Sequence, residues 1–306
     1  MSKQLPEYKD GIESLKPFSR IKLIVLDLDG TLVQSSSENV PDKVLILGRS
    51  LKSHNFNTNI TIATGRALSG ISGLLYSLPI KSNYPIILYN GSLVLTNKIY
   101  EPIFKKSISN EMLTGVLSYA KRFNVSVLAY YFELFNKETV LGWTNNNKPV
   151  YDYNGLEILW QHSFSNENII NGEPSMLVIN TSSESEKNIE DLLVRLRTME
   201  GISVSRGGAA YIEVKPIGIN KGVALEHIAG LLELKRNEIL ALGDNDNDVE
   251  MLSWAGIGVA VKNASISAKR ASDYTTRNEG MGGASEVMQL VREARKLLRQ
   301  NKSIHD

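Results

Sequence analysis

The sequence predicts an α/β protein with a Rossmann-like parallel-sheet core and an inserted α/β cap domain. Short, nearly continuous apolar runs alternate with segments of helical periodicity, which is typical of βαβ units around a parallel sheet. Such runs occupy residues 21–26, 60–63, 85–89, 239–242 and 257–261. Their length and continuity favour strands that are buried on both faces.

The middle of the chain differs in character from its two ends. Residues 107–122 show helical periodicity, whereas residues 125–132 and 176–179 have strand-like composition. Residues 183–201 carry acids at the start and basic side chains near the end, as the helix dipole favours, and Gly201 is the expected stop. This pattern predicts a second α/β unit inserted into the first.

These patterns together predict the domain organisation. We expect a discontinuous core over residues 21–103 and 206–306, and a second α/β unit over residues 104–205 that is inserted into it. Residues 1–20 are expected to form an N-terminal extension, a polar lead-in with at most a short helix and no assigned role.

The composition excludes several classes of function. Lys and Arg total 34 against 33 Asp and Glu, so a net charge of +1 gives no electrostatic footprint for nucleic acid or acidic lipid. The absence of cysteine excludes disulfides, thiolate metal sites and cysteine nucleophiles. No apolar run approaches the roughly 18 residues that span a bilayer, and residues 1–20 carry acids without a continuous apolar stretch, so we expect no secretory signal there. We expect a cytoplasmic protein with no nucleic-acid or membrane partner, and the sequence predicts no oligomeric state.

Four of the predicted strands end in residues that can perform chemistry: Asp27, Thr64, Asn90 and Asp244. Ligands of open parallel sheets bind at the carboxyl ends of the strands. The sequence therefore predicts one site at this edge of the sheet, built from distant parts of the chain.

The first of these strand ends is the run DLDGT. Asp27 and Asp29 are close enough to repel each other, so their placement calls for a cation or an acid–base task. Gly30 suggests a sharp bend at which the backbone approaches a ligand. The alternative is a capped loop in which Asp29 starts a turn.

The last of these strand ends is the run GDNDND, which places three acids within five residues. Hard cations such as Mg²⁺ favour oxygen ligands, usually one or two carboxylates together with waters and substrate phosphate. Alternatively, Asp246 or Asp248 caps the following helix. A calcium loop is excluded because Val249 stands where that motif requires glycine.

Two further segments suggest phosphate binding. Thr64 and Gly65 precede a helical pattern, so a hydroxyl, an amide and a helix N-terminus could form an oxyanion site, or Thr64 could be an ordinary N-cap. Lys221 opens another helical pattern, where its charge opposes the helix dipole. A phosphate partner would explain that position, and a solvated surface lysine is the alternative.

Taken in order, these signals resemble the haloacid dehalogenase superfamily of phosphohydrolases. Its four motifs correspond to DLDGT at 27–31, ATGR at 63–66, Lys221 with Gly222, and GDNDND at 243–248. Asn90-Gly91 and the run YIEVKP at 211–216 also resemble the Cof-like sugar-phosphatase branch. The resemblance covers about residues 21–103 and 206–292, and it is weak in the middle, where the family carries its cap. It implies that residues 104–205 form a cap that selects the substrate.

The resemblance implies a role for each matching residue. Asp27 would be the nucleophile and a Mg²⁺ ligand, and Asp29 would be the general acid and base, with its backbone carbonyl on the metal. The remaining roles concern the metal and the phosphate: Asp244 as a further ligand, Asp248 acting on metal-bound water or on Lys221, and Thr64, Gly65, Asn90, Lys221 and Asn247 contacting phosphate or substrate.

The implied function is a Mg²⁺-dependent phosphomonoester hydrolase. It would act on a small phosphorylated metabolite, with a sugar phosphate favoured, through an aspartyl-phosphate on Asp27. Asp29 favours a phosphatase over a dehalogenase, which needs no proton donor there. Two alternatives stay open: a phosphomutase or phosphotransferase of the same superfamily, and a non-catalytic metabolite-binding protein with the same fold.

Overall fold

The computed structural model describes residues 2–33, 40–53, 56–81, 83–96, 101–123, 125–133, 137–144, 152, 155–161, 172–207 and 210–302. Its strands are β1 Lys3–Gln4, β2 Leu23–Leu26, β3 Asn59–Ile62, β4 Pro85–Leu88, β5 Leu93–Thr96, β6 Pro102–Lys105, β7 Ser126–Glu133, β8 Lys137–Trp143, β9 Ile158–Gln161, β10 Met176–Asn180, β11 Ile202–Gly207, β12 Tyr211–Pro216, β13 Ile239–Gly243, β14 Ile257–Ala260 and β15 Tyr274–Thr275. Its helices are α1 Ile12–Leu15, α2 Asp42–Lys52, α3 Ser72–Ser77, α4 Asn110–Phe123, α5 Glu186–Arg197, α6 Lys221–Leu231, α7 Val249–Trp254, α8 Ile266–Ala271 and α9 Gly280–Lys302. Within these described ranges, no helix has both the length and the apolar character that crossing a membrane requires.

The first sheet is parallel and confirms the predicted core architecture. Its strand order is β1-β15-β14-β13-β2-β3, with β13 and β2 at the centre. Every residue of β2, β3, β13 and β14 is buried, as expected for strands covered on both faces. Leu26 pairs with both Leu242 and Ile62, so three strands end at the same level.

Strand β4 lies beside this sheet rather than within it. It forms an antiparallel three-stranded sheet with β5 and β6, and one parallel bridge between Ala63 and Ile87 connects it to the end of β3. The backbone N–H of Thr64 donates to the carbonyl of Ile87 at 3.0 Å. The turn after β4 is therefore held against the loop that follows β3.

The second sheet covers the carboxyl edge of the first. Its order is β11-β12-β10-β7-β8-β9, and only β8 and β9 pair in parallel. Alternate residues face opposite ways: Leu177 and Ile179 pack with helices α4 and α5, whereas Val178 packs in the same hydrophobic cluster as the first sheet. Tyr130 of this sheet lies 6.0 Å from Tyr89 of the core, measured between ring centroids. The two units thus share an apolar interface.

The position of β12 differs from the predicted domain boundary. The sequence predicts that the core resumes at residue 206, but β12 pairs with β10 and β11 in the second sheet. Ile212 and Val214 are buried in the cluster that contains α4 and α5, so the strand belongs there by packing. The boundary at 205/206 divides β11, and we place the return to the core after Pro216, before α6 begins. The division into core and cap remains our proposal.

The N-terminal segment also differs from the expected polar lead-in. Strand β1 pairs in parallel with β15 and extends the edge of the first sheet. Leu5, Leu15 and Phe18 are at most 1% exposed, and the ring of Phe18 lies 5.4 Å from that of Tyr274. Three isolated apolar residues among charged ones gave no periodic signal, yet they anchor the segment to the core.

We expect Phe18→Ala to lower the free energy of unfolding by about 3–5 kcal/mol, because it removes a fully buried aromatic ring and leaves a cavity. Chemical denaturation measures this change. Tyr76→Ala is the matched control, since Tyr76 is 96% exposed. Equal effects of the two substitutions would show that the N-terminal segment adds nothing to the core.

Candidate active site

Adjacent strand ends of the first sheet place two carboxylates side by side. Asp27 follows β2 and Asp244 follows β13, and the N–H of Asp27 donates to the carbonyl of Leu242 at 2.9 Å. The parallel register therefore fixes the backbone spacing of these acids through main-chain pairing alone. Asp27 is 5% exposed, so its carboxylate lies in a largely dry environment.

Lys221 connects the acidic residues of the two motifs. Its side chain is fully buried, and Nζ donates to Asp27 Oδ1 at 2.5 Å and to Asp248 Oδ1 at 2.6 Å. Helix α6 begins at this lysine, with Asn220 as its N-cap, accepting from the N–H of Val223 at 2.9 Å. The alternative of a solvated surface lysine is therefore wrong.

Asp248 stabilises the turn after β13 and also binds the lysine. Its Oδ2 accepts the backbone N–H of Asp244 at 2.9 Å and that of Asn245 at 3.1 Å, while Oδ1 accepts from Lys221. The sequence left open whether Asp248 serves the site or caps the chain locally. The structure gives it both contacts, through different oxygens.

Asp27, Asp244 and Asp248 form an acidic cluster whose ligand atoms lie within 4.8 Å of one another. Gly30 has a φ of +87°, and a Cβ added there would lie 2.3 Å from Asp244 Oδ2. The backbone of the first motif therefore approaches the acids of the fourth as closely as only glycine permits. Thr31 donates its hydroxyl to Asp244 Oδ1 at 2.9 Å and orients that carboxylate.

The three carboxylates of this cluster carry more negative charge than Lys221 can balance, and burial makes that charge more costly. Burial raises the pKa of Asp27 well above its ordinary value, the charge of Asp248 raises it further, and Lys221 opposes both effects. The pKa of Asp244 is raised by burial and then by Asp248. Burial alone would lower the pKa of Lys221, but Asp248 and Asp27 together raise it above its ordinary value.

The acidic cluster fits a divalent cation. Three carboxylates face one ammonium group, and a cation would relieve the remaining repulsion. All three candidate ligands are oxygens, which suits Mg²⁺ better than zinc, whose usual protein ligands include nitrogen or sulfur.

Asp29 lies apart from this cluster and is paired with an arginine. Arg66 Nε donates to Asp29 Oδ2 at 2.8 Å, and a terminal guanidinium nitrogen donates to Oδ1 at 2.5 Å. This two-point contact fixes the plane of the carboxyl group. The Asp29 side chain is 41% exposed and faces the cavity described below. Arg66 has no role in the sequence-based prediction, although its position two residues after Thr64 in the ATGR run was a usable signal.

The loop after β3 does not begin a helix as expected. Helix α3 starts only at Ser72, preceded by a 3₁₀ turn over Ser69–Ile71, so Thr64 and Gly65 receive no helix-dipole field. Gly70 lies in the intervening segment, and glycine is a poor helix former. The Thr64 hydroxyl accepts the N–H of Arg66 at 3.1 Å instead.

Asn90 contacts strand β12, the turn after β13 and the loop after β3. Its φ of +53° is left-handed, which asparagine tolerates better than most residues. Its amide nitrogen donates to Glu213 Oε2 at 2.9 Å, and its amide oxygen accepts from Asn247 at 3.0 Å. A Cβ on Gly65 would lie 3.0 Å from that nitrogen, so glycine allows the close approach. Burial raises the pKa of Glu213.

Two acidic residues of the second sheet were missed by the sequence analysis. Glu213 had a signal, because Tyr211, Glu213 and Lys215 alternate along one strand and share a face. Glu138 of β8 had none. Its carboxylate accepts from the backbone of Leu68 in the core, a partner distant in sequence.

A cavity of about 630 Å³ lies between the strand ends and the second sheet. Asp27, Asp29 and Arg66 line its core side. The second sheet lines the opposite side with Ser203, Ser205, Arg206, Tyr211, Glu213 and Lys215. A polar wall therefore faces the acidic cluster across a space that can hold a small molecule.

The fold and site define a hydrolase class in which a second sheet covers carboxylates at the ends of parallel strands. A model of the haloacid dehalogenase-like hydrolases matches residues 24–288. The chain belongs to this family, and the predicted family is confirmed.

Individual relatives agree with this assignment. The chain is similar to 5-amino-6-(5-phospho-D-ribitylamino)uracil phosphatase YcsE of Bacillus subtilis, with 27% identity over 272 residues, 88% of this chain and 94% of YcsE. A haloacid dehalogenase-like hydrolase from Bacteroides thetaiotaomicron has a TM-score of 0.74 at 26% identity, covering 88% and 98% of the two chains. The HAD subclass IIB sugar phosphatase BT4131 shares the fold, with a TM-score of 0.70 at 23% identity and the same coverage. The predicted enzyme class, a phosphatase, is confirmed.

We expect Mg²⁺ to raise the unfolding temperature, and to do so more at pH 8 than at pH 5.5. The raised pKa values of Asp27 and Asp244 mean that the folded protein holds protons there above the ordinary value of 3.8. Without metal, their contribution to stability is present below that value and is lost as pH rises through the folded pKa. Protons therefore compete with Mg²⁺ at low pH.

Thermal unfolding with and without Mg²⁺, at matched ionic strength, measures this difference. A saturating ligand at about 100 times its Kd stabilises by about 2.7 kcal/mol. Asp244→Asn should reduce the Mg²⁺-dependent shift. An equal shift in that variant, or an equal shift at both pH values, would contradict binding at the acidic cluster.

Proposed function

We propose that the protein is a Mg²⁺-dependent phosphomonoester hydrolase that forms an aspartyl-phosphate on Asp27. The observation that carries this proposal is the buried contact of Lys221 with Asp27, beside Asp244 and facing the cavity. This arrangement holds a carboxylate oxygen, an ammonium group and a candidate cation site within reach of one phosphoryl group. Positioning and charge stabilisation supply most of the catalysis in phosphoryl transfer.

The reaction has two steps that share one acid–base residue. A carboxylate oxygen of Asp27 attacks phosphorus, the ester P–O bond breaks, and the leaving oxygen takes a proton from Asp29. Water then attacks the phosphorus of the aspartyl-phosphate and gives a proton to Asp29, which releases inorganic phosphate and restores Asp27. One residue can serve both steps because acid and base roles exchange between them.

Asp27, Asp244 and the backbone carbonyl of Asp29 would hold the Mg²⁺, with Asp248 beside them. The bound ion would offset negative charge on the transferring phosphoryl group. Lys221 contributes positive charge next to Asp27, and its contact with Asp248 keeps Nζ in place. Thr64, Gly65, Asn90 and Asn247 would contact the phosphoryl oxygens or the substrate.

We propose a small phosphorylated metabolite, with a sugar phosphate favoured, as the substrate. The cavity wall of the second sheet offers hydroxyl, carboxylate and ammonium groups, which suit a leaving group rich in hydroxyls. YcsE is named for a ribityl phosphate and BT4131 for sugar phosphates, which supports the same substrate class. We propose cytoplasmic localisation and no nucleic-acid or membrane partner, in line with the balanced charge.

Phosphate release tests this function. The protein, with Mg²⁺, is assayed on a panel of phosphorylated sugars, nucleotides and cofactors, and the recovered products are balanced against the ester consumed. Release of phosphate that stops with EDTA supports hydrolysis. Formation of an isomeric phosphate without release would favour a phosphomutase, and an unchanged rate in EDTA would remove the metal assignment.

We expect Asp27→Asn to lower kcat at least about a hundredfold without unfolding the protein, since the amide is a poor nucleophile. Steady-state phosphate release measures the rate, and circular dichroism verifies the fold. A rate above about a hundredth of wild type would contradict a covalent role for Asp27.

We expect Lys215→Met to change the relative kcat/KM among sugar phosphates by about 1–3 kcal/mol, because Lys215 lines the cavity from the second sheet, which we propose contacts the leaving group. The same variant should barely change hydrolysis of a small aryl phosphate. Lys221→Ala should reduce turnover of all substrates alike, because it acts on the shared phosphoryl group.

Circular dichroism must show that Lys221→Ala is folded, because the change leaves two buried carboxylates unpaired; Lys221→Met, which fills the volume, is the second variant. Indistinguishable substrate profiles for the Lys215 and Lys221 variants would overturn this division of roles between core and cap.

A further inference from the structure

Glu138 is a carboxylate of the second sheet that binds the loops of the core. It lies on β8 and accepts the backbone N–H groups of Leu68 and Ser69, each at 2.7 Å. It also accepts the hydroxyl of Tyr89 at 2.5 Å. These three contacts cross from the cap to the two core loops that follow β3 and β4.

The loop bound by Glu138 carries the arginine that holds Asp29. Arg66 lies two residues before Leu68, and its guanidinium donates to Asp29 and also to the carbonyl of Gly70 at 3.1 Å. The two backbone groups taken by Glu138 thus lie between the residue that carries the guanidinium and the carbonyl that helps to hold it. A change in the backbone path of residues 66–70 would therefore move both the guanidinium of Arg66 and the Gly70 carbonyl that accepts from it.

We propose that Glu138 is a positioning residue for Asp29, so that the contact of the cap with the core loops sets the general acid in place. This inference rests on the proposed function, in which Asp29 protonates the leaving oxygen. Glu138 fixes the loop, the loop fixes Arg66, and Arg66 fixes the plane of the Asp29 carboxyl group. One Asp29 oxygen can stay with Arg66 while the other exchanges a proton with the ester oxygen.

The position of Glu138 favours this role over that of a contact that only attaches the cap to the core. The cap already rests on the core through apolar side chains, including Tyr130 against Tyr89. A contact that only attached the cap could lie anywhere in that interface. Glu138 instead accepts the N–H groups of two consecutive residues, Leu68 and Ser69, at the start of the 3₁₀ turn. These residues follow closely after Arg66, which contacts Asp29.

The test is the dependence of the rate on the leaving group. Glu138→Gln keeps the length of the side chain but presents an NH₂ group to one of the two backbone N–H donors. We measure kcat/KM on a series of aryl phosphates of similar shape whose phenols differ in pKa. A poor leaving group needs the proton from Asp29 most, because general acid catalysis contributes about 10²–10⁴-fold.

We expect Glu138→Gln to lower kcat/KM about tenfold for phenyl phosphate and about twofold or less for nitrophenyl phosphate. The plot of rate against phenol pKa therefore becomes steeper than in the wild type. Arg66→Lys should steepen it in the same way, because a lysine cannot form the two-point contact with Asp29. Glu200→Gln, at an exposed cap residue, is the matched control and should leave the slope unchanged.

Each result separates this inference from the proposed function. If Glu138→Gln lowers the rates of all esters by one factor, or changes none, the inference is overturned while the hydrolase assignment stands. If Glu138→Gln steepens the plot and Arg66→Lys does not, the path through Arg66 is wrong. A wild-type protein that releases no phosphate from any ester removes the proposed function itself. Thermal unfolding verifies that each variant is folded.

Discussion

The contact of one buried ammonium group with two carboxylates is the constraint on which the site depends. Lys221 is fully buried between Asp27 and Asp248, so removing the lysine leaves two buried carboxylates without their counter-charge. Such a loss commonly costs about 3–5 kcal/mol. Because the lysine also begins α6, and Asp248 also holds the turn after β13, the fold and the chemistry share the same atoms. The site cannot vary independently of the core.

A strained turn is the second constraint, and it depends on the cap. Tyr89 and Asn90 are consecutive left-handed residues, a conformation that costs each side chain conformational energy. The cap compensates with one carboxylate for each: Glu138 for the Tyr89 hydroxyl and Glu213 for the Asn90 amide. Gly91, with a φ of +102°, lets the turn approach Asn220 at the start of α6. The turn thus connects the cap, the strand ends of the core and helix α6, which begins at Lys221.

The sequence predicted the parallel core well because its signals are local. Strand runs ended within one or two residues of the observed limits, and Lys221 begins its helix as expected. The features it missed depend on contacts without a local pattern. Phe18 is one apolar residue in a polar segment, and Glu138 meets Leu68 across 70 positions. The loop after Thr64 was expected to be helical because its apolar residues have helical spacing. That spacing could not show that Glu138, distant in sequence, accepts N–H groups of this loop.

The same contacts bear on what a cap can do in this fold. A cap that only read the leaving group would touch the core through apolar packing and leave the catalytic loops alone. Here different strands of the cap make different contacts. Strands β11 and β12 line the cavity with polar side chains, while Glu138 of β8 binds the loop that carries Arg66. Under the roles that we propose, substrate choice and placement of the acid therefore lie on different strands of one sheet. We then expect changes on the cavity-lining strands to alter the substrate while the contact proposed to orient Asp29 persists.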